Sequence, residues 1–187
     1  SGVTYDVPFV LHGVEALEEA MRSPTGGLVV GTHARLSLTV PRAMEELGYR
    51  FHIVAVDARL PIAGAGHPAR TIPVAGPMLL RVRTVLRRGE VVCAMLDRVR
   101  RLERRTTTTV TAFGPVQVVD PLLHVGAACR ARVVFVMSAA DARGRVHAWF
   151  TAAPAHARPD ALARQFAEVM MGHAERCVRP LDPGDAP

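Results

Sequence analysis

The chain has 187 residues, enough for one domain with a sizeable core, and 49% of them are hydrophobic, which excludes disorder as its main state. Its net charge is +6 and all 23 basic residues are arginine, with no lysine and no asparagine anywhere. A Schiff-base lysine, a P-loop lysine and a Ser–Lys dyad are therefore excluded, while anionic partners stay open. Part of the arginine excess, beside abundant alanine and valine, reads as a GC-rich coding habit. Cys93, Cys129 and Cys177 form an odd, widely spaced set in or beside apolar runs. They read as buried thiols of a reducing compartment. No apolar run approaches the roughly 20 residues of a membrane span, and no signal peptide is visible, so a cytoplasmic location is expected.

Glycine and proline divide the chain into alternating helix-like and apolar segments, without an internal repeat. Val10, Leu11, Val14, Leu17 and Met21 predict one face of a first helix, stopped by Ser23-Pro24 and Gly26-Gly27. Leu28 to Thr32 predicts a short buried strand. A second helix is expected from about Ser37 to Leu47, with Gly48 as its stop. Phe51 to Val56 reads as a strand, and residues 57 to 75 as a long proline- and glycine-rich loop.

Gly76-Pro77 opens a third helix. Its apolar face is Met78, Leu79, Val82, Val85 and Leu86; Arg81, Arg83, Arg87 and Arg88 form an outer face that reads as ordinarily solvated. Val91 to Leu96 and Thr107 to Phe113 predict strands. Asp120-Pro121 predicts an N-cap and first turn for a helix to about Arg130. Val133 to Met137 and Val146 to Thr151 read as strands flanking the turn Asp141-Ala142-Arg143-Gly144. A last helix follows Pro159-Asp160 and buries Leu162, Phe166, Val169 and Met170. Such alternation predicts an α/β fold: a mixed, mostly parallel central sheet with helices on both faces. Residues 1–179 read as one domain and 180–187 as a disordered tail.

In such sheets ligands sit beyond the carboxyl ends of the strands. The first buried strand runs into Gly31-Thr32-His33, and a histidine there suits a general base because its pKa lies near neutrality. A satisfied or merely exposed histidine is the commoner outcome for such a residue taken alone.

Its surroundings add to that. The stretch from Gly27 to Leu38 (GLVVGTHARLSL), followed by Ala43 to Val54 (AMEELGYRFHIV), resembles the histidine block of the lysophospholipid acyltransferase superfamily. Within it the likeness is to the late, lauroyl/myristoyl-type acyltransferases of lipid A biosynthesis. Leu86 to Asp97 (LRRGEVVCAMLD) is similar to that family's segment of glycine-glutamate, apolar strand and aspartate. Val110 to Pro115 (VTAFGP) and Gly126 to Val136 (GAACRARVVFV) are similar to its phenylalanine–glycine motif and the helix and strand after it. The resemblance spans about residues 12 to 176. No one motif is specific; the order of the series carries it.

The resemblance implies an acyltransferase-like α/β fold and transfer of an acyl group to a hydroxyl or amine. The donor would be a thioester on acyl-carrier-protein phosphopantetheine or on coenzyme A, with no bound cofactor and no metal. A histidine acts as base in that family, oriented by an acid five residues on. His33 takes the first place, but the second is Leu38, which can neither fix a tautomer nor balance an imidazolium. Three repairs are open: another carboxylate reaches His33, Ser37 orients it weakly, or the site no longer does this chemistry. Asp97 is the preferred substitute and Asp57 the second, both at expected strand ends; the plain alternative for Asp97 is an ion pair with a nearby arginine. Arg35, Ser37, Asp57, Arg98, Phe113 and Gly114 are the implied substrate-binding residues, Phe113-Gly114-Pro115 bordering the channel or simply making a turn.

Arg98, Arg100, Arg101, Arg104 and Arg105 are the densest charge in the chain. They read as a solvated segment by default, or as a dock for an acidic carrier protein, coenzyme A phosphates or an anionic lipid surface. A nucleic-acid partner is not expected, since aromatics are 5% and none interleaves with the arginines. The glycine pattern at Gly64-Ala65-Gly66 lacks the strand and helix a dinucleotide site needs. Neither Ser37 nor Ser138 sits in a nucleophile elbow, and the eight histidines show no zinc spacing. Relatives in this superfamily usually carry an N-terminal hydrophobic anchor. A start only about thirty residues before His33 leads to the expectation of no transmembrane segment, with peripheral contact still compatible and a soluble acceptor from specialised metabolism. The rival expectation, which Leu38 supports, is a non-catalytic module that binds an acyl chain or a carrier protein.

Overall fold

The computed structural model describes residues 9–32, 39–55, 70–96, 106–111 and 114–178. Seven strands form one mixed, mostly parallel sheet: β1 (Phe9–His12), β2 (Gly27–Gly31), β3 (His52–Ala55), β4 (Arg70–Pro73), β5 (Val91–Met95), β8 (Arg132–Ala140) and β9 (Val146–Ala152). Their order across the sheet is β1-β9-β8-β2-β5-β3-β4. Only β8 and β9 pair antiparallel, as a hairpin over the turn at Asp141; every other pairing in this sheet is parallel. β6 (Thr106–Thr111) and β7 (Gly114–Val119) form a separate antiparallel ribbon.

The central strand β2 is buried along its whole length, as its unbroken apolar run requires. Successive side chains point to opposite faces and feed two cores. On one face Leu28, Val30, Val92, Phe135 and Met137 pack under α3 (Met78–Arg87), α4 (Pro121–Ala128) and α5 (Pro159–Val178). On the other, Val29, Cys93, Val134 and Val136 pack under α1 (Val14–Arg22) and α2 (Thr39–Glu46). Both faces of the sheet are thus covered by helices.

Several expectations change. Val10 and Leu11 belong to an edge strand, not to the first helix. Gly13, with φ of 67°, breaks the chain between β1 and α1, and β1 finds its partner in β9, far along the sequence. Part of the long loop forms β4, an edge strand that tolerates Pro73 because one side needs no ladder partner. The strand after Thr106 turns back at once on β7, where the sequence showed only one strand. Asp120 precedes α4 but makes no side-chain cap; its carboxylate lies 3.5 Å from His124 Nε2. The tail 180–187 lies outside the described residues.

Candidate functional site

The carboxyl ends of β2, β5 and β8 lie side by side. Gly31 is the paired partner of both Met95 and Val136, and Leu96 N–H extends the ladder by donating to Gly31 O at 3.0 Å. Gly31, Thr32, Val40, Met95, Val136 and Ser138 line a narrow cleft of about 10 Å³ there, room for about one water. A side chain at Gly31 has no space: a Cβ would sit 2.8 Å from Val136 O and 3.1 Å from Val136 Cγ1. The glycine lets β2 and β8 approach where the chain leaves the sheet.

From Gly31 the chain reaches His33 in two residues, and from Met95 it reaches Asp97 in two. Two neighbouring, in-register strands therefore lead into the expected base and the expected acid. His33 and Asp97 themselves, with Arg35, Ser37, Leu38, Asp57, Arg98 and Phe113, lie outside the described residues, as does the arginine run to Arg105. Gly114 is described. It opens β7 opposite Thr111, at the tip of the ribbon whose other end meets the sheet where Val119 N–H donates to Leu96 O at 2.9 Å. Five residues of strand put Gly114 about 17 Å from that junction.

Cys93 is buried mid-strand, 3.8 Å from Met44 Sδ, and burial pushes its thiol far above the ordinary range. It is a core residue rather than a nucleophile. A cavity of about 830 Å³ lies at the opposite, amino-terminal ends of β3, β4 and β5. Its Arg50 and Arg70 are matched by Glu45 and Glu90, so it displays no surplus charge. His52 Nε2 and Glu90 Oε2 form a 2.6 Å contact in its wall. The hydrogen bond from His52 holds the Glu90 carboxyl below its usual range against the opposing effect of burial, and the charges of His52, Arg70 and Arg88 help.

A polar cluster that the sequence did not announce sits where β8 turns into β9. Asp141 Oδ1 accepts from the backbone N–H groups of Arg143 and Arg145, each at 2.9 Å, and Oδ2 accepts from Arg145 Nε at 2.6 Å. Burial would raise this carboxyl, but these donors and His147 outweigh it and hold the group well below the carboxylate range. An ionised Asp141 can only accept, so His147 Nε2, 3.2 Å from Oδ2, carries a proton. His147 Nδ1 in turn lies 3.0 Å from His12 Nε2, one ring nitrogen donating and the other accepting. Trp149 lies nearly parallel to His12, ring centroids 5.2 Å apart, and His173 of α5 tilts against it while donating to Ser138 O at 3.2 Å. Among the described residues no three His, Cys, Asp or Glu side chains converge as a metal site requires; these rings bond to one another instead. The turn at Asp141 was legible in the sequence. His12 was not, because it lies 135 residues from His147 and only the β1–β9 pairing joins them.

This chain of hydrogen bonds clasps edge strand β1 to the sheet and makes its hold acid-sensitive. Burial first, then the charge of His147, lower the His12 pKa below the ordinary 6.5. The unfolded chain therefore takes up the proton more readily. The resulting stability is complete above pH 6.5 and is lost as pH falls from there towards the folded value. The drop in Tm between about pH 7.5 and pH 5 should accordingly be smaller in His12→Gln than in the parent protein; equal drops would remove His12 from the effect.

Neither a scan against protein-family models nor a search of curated protein sequences finds a match for this chain. Among the described residues no helix is long and apolar enough to cross a membrane.

Proposed function

We propose that this protein is an acyltransferase that moves an acyl group from an acyl-carrier-protein or coenzyme A thioester to a hydroxyl or amine acceptor. The observation that carries the reading is the in-register pairing of Gly31 with Met95, from which the chain runs two residues to His33 and two to Asp97. The ordered resemblance to the lysophospholipid acyltransferases supports it, as does the position at the carboxyl ends of parallel strands. His33 accepts the proton of the acceptor O–H or N–H, and the freed electron pair attacks the thioester carbonyl carbon. As the tetrahedral intermediate collapses, the C–S bond breaks and the imidazolium returns its proton to the leaving thiolate. The products are an ester or amide and a free thiol. Asp97 positions the imidazole and balances its transient charge, the task that Leu38 cannot perform. Such donors place the protein in the cytoplasm, acting on a small-molecule or lipid acceptor and not on nucleic acid.

The second reading, a non-catalytic module binding an acyl chain or carrier protein, rests on Leu38 itself. Incubating the full chain with acyl-carrier-protein and acyl-coenzyme A thioesters and a panel of alcohols and amines separates the two. Acceptor-dependent thiol release that falls at least about 10³-fold in His33→Ala supports catalysis. Equal release by both proteins removes His33 from the mechanism, and tight carrier-protein binding without turnover favours the binding module.

A further inference from the structure

The outer face of α3 does not have the composition of an ordinary solvated helix. The sequence assigned Leu79 to the buried stripe of Met78, Val82, Val85 and Leu86, but the helix turns it outward. Leu79 is 36% exposed and Leu80 62% exposed, two of the three large hydrophobic side chains that reach solvent among the described residues. At about 100° per residue, Leu79, Arg83, Arg87 and Leu80 fall in that order within one arc of about 100° of the helix circumference. Arg81 and Arg88 extend the cationic surface beyond Thr84, and all of these residues are exposed. No acidic residue lies between Met78 and Arg88. Among the described residues Arg81, Arg83 and Arg87 make no ion pair. Glu90, the next carboxylate along the chain, is held by His52.

We propose that this face of α3 is a docking surface for an anionic lipid bilayer. Exposed leucines beside Arg81, Arg83 and Arg87, which no described carboxylate pairs, suit a layer whose acyl boundary takes the aliphatic chains while its phosphates meet the guanidinium groups. Apart from Thr84 the face offers only cations and aliphatic carbon. A fluid headgroup layer needs no shaped recess, only a helix lying along it, here about 15 Å long. The attachment is weak, reversible and weakened by salt. It stands independently of the acyl-transfer reading.

Co-sedimentation of the full chain with phosphatidylcholine vesicles, with and without about one third phosphatidylglycerol, tests this. The expected result is partition onto the anionic vesicles only, declining as salt is raised. Replacing Arg83 and Arg87 together by Gln should lower the partition coefficient about 25-fold, at about fivefold per arginine. Leu79→Ser with Leu80→Ser should lower it about tenfold. These side chains reach solvent, so unchanged melting curves will show that the variants fold. Equal partition of parent and variants, or no partition at all, overturns the proposal. So does retained vesicle binding with lost affinity for an acidic carrier protein, which would make the face a protein dock.

Discussion

Asp97→Asn is expected to lower acyl-transfer turnover by about 10⁴-fold while leaving the melting temperature nearly unchanged, the cost known for an orienting carboxylate lost from a histidine-based triad. An amide keeps the shape of the side chain but can present a donor to the imidazole, favouring the wrong tautomer, and it cannot balance the imidazolium. The strand order explains why Asp97 is chosen over Asp57. β5, which leads into Asp97, is the direct neighbour of β2, whereas β3, which leads into Asp57, lies one strand further out. That extra strand puts β3 roughly 10 Å from β2, too far for a hydrogen bond between residues at equivalent positions. Asp57→Asn should therefore leave turnover within a few-fold of the parent. Loss of activity in Asp57→Asn but not in Asp97→Asn would exchange their roles. Unchanged turnover in both would leave His33 without an aspartate from either strand end.

Gly31→Val is expected to destabilise the fold by about 3 kcal/mol, or about 6–12 °C in Tm for a domain of this length. The obstacle to its Cβ is a backbone oxygen, Val136 O at 2.8 Å, with the Val136 side chain and then Met95 Sδ at 3.4 Å behind it. Backbone in the middle of a parallel sheet cannot move aside without breaking the β2–β8 ladder. Gly172→Ala is the matching control. It lies within α5 with nothing inside 4 Å of the added carbon, so it should raise stability by up to about 1 kcal/mol through helix propensity alone. Thermal melts of the two variants beside the parent decide the matter. A Gly31→Val protein as stable as the parent would show that β2 and β8 are not closely joined at Gly31.

Elements with strong local signals were legible in the residues. The buried run Leu28–Val30, the stop at Gly89 after α3, the proline at the start of α4 and the β8–β9 hairpin each follow from short-range preferences or an unbroken apolar stretch. The misread elements share a different cause. β1 and β4 are four-residue edge strands, too short to show a period, and each exists because a distant strand offers it a ladder. Leu79 was misplaced because an apolar residue at the margin of a helical stripe can turn either way, and packing decides which. At the site, a histidine at the end of a buried strand could be read directly. That its strand adjoins the one leading into Asp97 could not.

By itself the sequence determined the α/β class, the core strands and which chemistry is excluded, since a chain without lysine has no Schiff-base or P-loop lysine. These are properties of residue types and their local spacing. The tertiary structure alone decided the order of the strands, and with it that β5 and not β3 adjoins β2. It also joined His12 to His147 and Asp141, and it turned Leu79 and Leu80 towards solvent. Each of these depends on pairings between segments far apart in the chain, which local preference does not encode. They are settled only when the apolar faces are buried together and the backbone groups of the strands find partners.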